Sequence, residues 1–296
     1  MIWPLLAGAL MRYLGVLLTL VLSAFLAGSG PGSPLQASQN ARAVVLTRII
    51  RIPIHILKTG GAAENRENDA ASLTVSPGGT DELPEGPNGF DVFEDGRVLI
   101  TDPLARRVAV FDAKGTFLRS WQVGFAADSV KRVGKDSFLI RQANTGELHA
   151  FDSDGHERSG QKVALPPESE VQLNGLNRGT VSRPATGDFH GGQLTIQFDT
   201  PQSRLISLEW LATDRSGNTY VALESTTGEA ETSDESINLN KGVRKYGPDG
   251  KLVAQIAAIP LDYYITPVDE LRVAKGMVYQ LFTTQSEVRI NVWSME

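Results

Sequence analysis

The chain of 296 residues contains no cysteine. That absence excludes a disulfide framework, a thiolate zinc site, a thiol nucleophile, an iron–sulfur cluster and a lipid-modified N-terminal cysteine. Histidine is scarce as well: the four are His55, His149, His156 and His190, and no two stand at the i, i+2 or i, i+4 spacing of a local metal site. Long Lys/Arg runs are missing, and 28 basic residues face 34 acidic ones, for a formal net charge of −6. Nucleic acid is therefore not expected as a partner, since neutralising phosphates carries most of that affinity. There is no Gly-x-Ser-x-Gly elbow, and Gly78-Gly79 and Gly191-Gly192 lack the strand-to-helix context of a phosphate cradle. Beyond Ala37 no apolar stripe of helical period outlasts a couple of turns. What remains, 41 % hydrophobic and 21 % charged, is a globular composition.

Residues 1–37 read as an address. Arg12 precedes the apolar run Tyr13 to Ala27, and Gly28 to Pro34 is rich in Gly, Ser and Pro. A basic residue, a short apolar stretch and small residues make a secretory signal peptide. Cleavage near Ala27, Ser29 or Ala37 fits, and Met11 would serve as an alternative start with a shorter signal. The other reading is an uncleaved anchor: the run is short of the ~20 residues needed to span a bilayer unless residues 1–10 are counted with it. Export to the periplasm or the cell exterior is expected, with membrane contact only through an uncleaved signal. Without residues 1–37 the net charge becomes −7.

Residues 38–296 are expected to form a single domain built on a repeat. Phe111 to Gly115 (FDAKG) and Phe151 to Gly155 (FDSDG) lie 40 residues apart, and Tyr246 to Gly250 (YGPDG) follows 95 residues later. A second family of turns, at Asp95-Gly96, Gly134-Lys135, Ser216-Gly217 and Lys275-Gly276, precedes each unit's outer half. Such pairs supply the positive φ of tight hairpins. Between them apolar residues alternate with period two, as in Arg97 to Thr101, Arg107 to Phe111 and Met277 to Leu281. Four short strands in each ~40-residue unit predict an all-β fold, a β-propeller. Units start near residues 86, 125, 167, 208 and 264, which favours five blades, with six a tight fit. The last unit lacks an outermost strand, and the apolar segment 43–58, ahead of a polar linker over 59–85, is expected to supply it and close the ring. Pro53 suits only an outer or edge position. Thr226 to Asn240, acidic with no basic residue until Lys241, reads as a long hairpin loop.

The stretch from Gly86 to Gly124 resembles an NHL-type propeller repeat. Gly96, Asp102, Arg107, Val108, Val110, Phe111, Asp112 and Gly115 carry the resemblance, and Glu147 to Asp152 and Tyr246 to Gly250 repeat part of it. The chain as a whole is similar to exported bacterial propellers of this kind. The resemblance implies a fold and leaves chemistry open.

Candidate site residues come from the innermost strands, whose starts gather at one tunnel mouth. Near those starts stand Asn88, Asp91, Asp128, Asn174, Glu209, Asp269 and Glu270. Convergent carboxylates and amides there would suit Ca²⁺, or a pair of acids in sugar hydrolysis, or simply a solvated rim. Trp121, Trp210, Tyr263, Tyr264 and Trp293 are expected to pack between blades. The expectation is a non-enzymatic, monomeric binding module for a protein or cell-envelope ligand, needing no cofactor. The alternative is a calcium-dependent or carboxylate-based propeller hydrolase or lyase.

Overall fold

The computed structural model describes residues 41–57, 70–133, 137–158, 170–173, 178–183, 192–197, 203–227 and 238–296, all within one compact unit, Gln36–Glu296. Residues 1–37, expected to be a signal for export, lie outside them, as do Asn174, His190 and residues 228–237 of the acidic segment. Every named element among the described residues is a strand. The N-terminal stretch forms β1 (Arg42–Ala43), β2 (Leu46–Ile56) and β3 (Leu73–Val75). Sheet I follows, with β4 (Phe90–Val92), β5 (Val98–Asp102), β6 (Arg107–Phe111) and β7 (Phe117–Gln122). Sheet II holds β8 (Ala127–Arg132), β9 (Ser137–Gln142) and β10 (Leu148–Asp152), and sheet III holds β11 (Glu170–Leu173), β12 (Arg178–Arg183) and β13 (Gly192–Gln197). Sheet IV consists of β14 (Ser203–Thr213), β15 (Thr219–Thr227), β16 (Asn238–Tyr246) and β17 (Leu252–Ile256), with β1 added parallel to β17. Sheet V consists of β18 (Leu271–Ala274), β19 (Met277–Thr283) and β20 (Glu287–Ser294), followed by β2 and then β3.

The repeated Phe-Asp-x-x-Gly signal is a folded turn with its own hydrogen bonds. Asp112 Oδ1 accepts from the backbone N–H of Lys114 and of Thr116, both at 2.8 Å. Asp152 accepts likewise from Asp154 and His156 at 2.9 Å, and in the second family of turns Asp214 accepts from Ser216 and Asn218 at 2.9 and 3.0 Å. The carboxylate thus takes up N–H groups that no ladder satisfies. Gly115 completes its turn at φ 89°, and a Cβ there would lie 2.3 Å from the Arg51 carbonyl oxygen.

Strand alternation distributes side chains to two neighbours. In β5, Val98 and Ile100 enter a core shared with Ile50, Ile52, Leu281 and Ile290 of sheet V, whereas Leu99 enters one shared with Val130, Phe138 and Ile140 of sheet II. A third core joins Tyr220, Ala222 and Val243 of sheet IV to Val278 and Trp293 of sheet V. A fourth joins Leu205, Val221 and Leu223 of sheet IV to Ile196 of sheet III. Each fully buried side chain of this size contributes about 1.5–3 kcal/mol. The first strands also lie side by side, β8 by β4, β4 by β18, β18 by β14 and β14 by β11.

The N-terminal segment is divided more finely than the sequence suggests. β2 pairs antiparallel with β20 from Leu46↔Trp293 to Pro53↔Glu287, then parallel with β3 from Ile54↔Leu73. Pro53, which has no N–H, falls where one partner gives way to the other. The stretch ahead of β2 belongs to sheet IV, the 59–85 linker contains a strand, and β14 begins at Ser203, ahead of 208. The Asp102 and Arg107 of the repeat prove to be struts: buried Asp102 pairs with Arg107 at 3.0 Å and accepts from Thr74, while Arg107 donates to the carbonyls of Ala70 and Ser72.

Candidate functional site

The expected acidic residues do converge, but cations from other strands meet them. Arg272, second in β18, donates to Asp269 at 2.8 Å and stands 3.7 Å from Asp91. Burial works against the Arg272 cation, yet Asp269, Asp91 and Glu209 outweigh it and raise its pKa. Asp91 also accepts from the N–H groups of Arg132 (2.5 Å) and Val92 (2.8 Å), and its burial still pushes its pKa up. Asp128, at the start of β8, is held by Arg141 of β9 at 2.8 Å. That bond raises the Arg141 pKa, with Asp269 adding to the effect.

A second knot joins sheets IV and V. Lys241 of β16 reaches Glu224 of β15 at 2.8 Å and hydrogen-bonds Glu270. Burial disfavours its charge, but the two carboxylates more than compensate and raise its pKa. Glu270 also accepts from the Tyr263 hydroxyl, which burial and that carboxylate hold protonated far above its ordinary range. Gln280 donates to Tyr263 at 2.8 Å and accepts from Asn291 at 3.0 Å. Glu209, midway along β14, is reached by solvent yet hemmed in by protein. Desolvation raises its pKa, Lys241 and Arg272 oppose, and Glu270 and Asp269 add repulsion. The Asn88 carbonyl accepts from the N–H groups of Val268 (2.6 Å) and Asp269 (3.1 Å), fastening the entry of β4 to that of β18. Asn88 Oδ1 and Asp269 Oδ2 are buried without a protein partner among the described residues.

Six of the seven expected residues are therefore described, and they gather around Arg272, Lys241 and Arg141 rather than around an open carboxylate cluster. Among the described residues no three Asp, Glu or His side chains come together as a metal site. Position near the starts of the first strands pointed to the acids. Arg141 and Lys241 escaped it because they sit on the second strand of sheet II and the third of sheet IV. Lys241 did leave one trace, as the first base after the acidic segment.

A cavity of about 750 Å³ opens at the other end, where the first strands finish and turn. Asp91 is the one expected residue that lines it, with Lys131 and Arg132 of sheet II, the Asp214–Arg215 turn of sheet IV and the Lys275-Gly276 turn of sheet V. The described histidines stay away from it: His149 bonds Glu157 at 2.8 Å and stacks on Phe125, and His55 lies on β2. Trp121 and Trp293 pack between sheets as expected, whereas Tyr263 serves the Glu270 knot.

No family model matches the chain. The comparison with curated proteins finds no match. Among solved structures the chain is similar to a member of the DUF4221 family from Bacteroides vulgatus, at 8 % identity and TM-score 0.34 over 88 % of this chain and 99 % of that one. It is similar to virginiamycin B lyase from Staphylococcus aureus, at 9 % identity and TM-score 0.35 over 71 % and 95 %. A gluconolactonase from Xanthomonas campestris matches at 10 % identity and TM-score 0.34 over 84 % and 98 %. At these scores and identities the likenesses carry no assignment of activity.

Proposed function

We propose that the chain is an exported five-bladed β-propeller, closed by β2 on β20, that serves as a non-enzymatic binding module. Its ligand is a protein or a cell-envelope component, taken at the cavity where the first strands end. Support for the ring comes from sheet order: chain neighbours I and II, III and IV, and IV and V share cores, and sheet V packs back on sheet I. The observation that carries the binding role is the paired state of the central charges. Arg272 is held by Asp269 and Asp91, and Lys241 by Glu224 and Glu270, so these groups serve as rigid packing rather than as a free acid and base. A pull-down from envelope extract tests it: a partner retained by the parent and lost on Lys131→Glu is expected. Recovery of no partner would count against the role.

A second reading rests on Glu209, whose raised pKa beside Asp269 and Glu270 is the pattern of a proton-donating acid near an ionised one. Glycoside turnover abolished by Glu209→Gln would favour it.

A further inference from the structure

The cavity differs in sign from the protein that contains it. Six cations line it, Lys131, Arg132, Arg215, Lys245, Arg272 and Lys275, against four carboxylates, in a chain of net charge −6. Three of the four carboxylates are already engaged or offset. Asp91 faces Arg272, and Glu94 stands 3.6 Å from Arg215. Asp214 accepts from Ser216, Asn218 and the Tyr220 hydroxyl within its own turn. Glu296 lies against Gly276 with no ion pair among the described residues, and Lys245 donates to the Met295 carbonyl at 2.9 Å. Lys131, Lys245 and Lys275 have no ion pair among the described residues, whereas Arg132 helps to offset the charge of Asp91. Lys131 and Lys275 are exposed at the rim, and the Arg132 guanidinium lies 5.6 Å over the Phe93 ring.

Lys275 adds an independent sign. It occupies φ 45° ahead of Gly276 at φ 70°, the two central positions of a type I′ hairpin turn. Asn or Gly is the usual occupant of the first, because a longer side chain at positive φ costs backbone energy. The lysine at this position places an ammonium at the cavity rim.

We infer that the cavity binds a small, multiply charged oxyanion, a molecule bearing phosphate or several carboxylates, held by Lys131, Arg132 and Lys275. A volume of about 750 Å³ suits a sugar-sized compound. A planar guanidinium with two mobile ammonium groups suits oxyanion geometry. The inference rests on the binding-module reading only in using the same cavity.

Titration calorimetry of the purified chain at constant ionic strength tests it, with fructose 1,6-bisphosphate, citrate and uncharged glucose as probes. Binding of the bisphosphate or citrate with a Kd of about 0.1 mM or tighter, and none of glucose, is expected. Preference between the two identifies phosphate or carboxylate as the recognised group. Lys131→Ala and Lys275→Asn should each weaken binding about fivefold to tenfold. Lys275→Asn should melt no lower than the parent, which separates lost binding from lost fold. Equal response to glucose and the oxyanions, or a Kd unchanged in both variants, overturns the inference. The pull-down is independent, since a partner could be retained by a cavity that binds none of these probes.

Discussion

Gly89 stands just ahead of β4, against the start of β8. A Cβ there would lie 2.4 Å from the Asp128 carbonyl oxygen and 2.8 Å from Ser129 Cα, both backbone atoms that cannot swing aside. Gly89→Ala is expected to cost about 1–3 kcal/mol in urea denaturation, the scale of overpacking. Lys241, its side chain 11 % exposed, makes a different case. Lys241→Met would strand Glu224 and Glu270, at a cost of about 3–5 kcal/mol. The pH course of that cost follows from the shifts. The raised Lys241 pKa means stability present below the ordinary lysine value of 10.5 and lost as pH climbs through the folded value. Burial works to raise Glu224, but Lys241 prevails and lowers it, so its share is present above 4.5 and lost as pH falls through the folded value. The gap between parent and variant should be widest from about pH 5 to 10 and shrink on either side.

At the scale of elements, turns and the N-terminal strand do the organising. Backbone N–H groups of Thr116 and Lys114 lower the Asp112 pKa, so its turn is strongest once the carboxylate ionises and weakens as pH falls through the folded value. Asp112→Asn keeps the acceptor without the charge. It should be less stable than the parent at pH 7 and nearly equal to it at pH 2, checked by chemical denaturation at both. β2 carries Ile50 and Ile52 into the core between sheets I and V and pairs along most of β20. Deleting residues 1–57 should therefore leave a chain without a cooperative melt, whereas deleting 1–37 should leave the melting temperature within a degree or two of the parent. Circular dichroism against temperature distinguishes the two.

On the scale of the whole molecule, the first strands of the described sheets lie side by side from β8 through β4, β18 and β14 to β11, and charged side chains stand at their entries. Because Asp91, Asp128, Asp269 and Glu270 at the first-strand entries each face a cation, EDTA and added Ca²⁺ are expected to leave the melting temperature unchanged, as differential scanning fluorimetry would record. A calcium-dependent rise would mean a site of oxygen ligands that binds the native state by mass action. The period-two runs and the ~40-residue spacing of Phe111, Phe151 and the later units made strands, hairpin turns and the unpaired last unit legible in advance, since local sterics and φ preferences act between near neighbours. By the same logic Pro53 and the apolar face of β2 announced a strand seeking a partner. Which charges meet was not legible. Asp91 finds Arg272 from across the chain and Lys241 finds Glu270 from another sheet, because Coulomb attraction is set by distance in space after the sheets pack. Strand by strand the sequence determined the elements and their turns. Only the packing of sheet against sheet decided that the acidic entries would be neutralised and that the opposite end would be a cavity lined by cations.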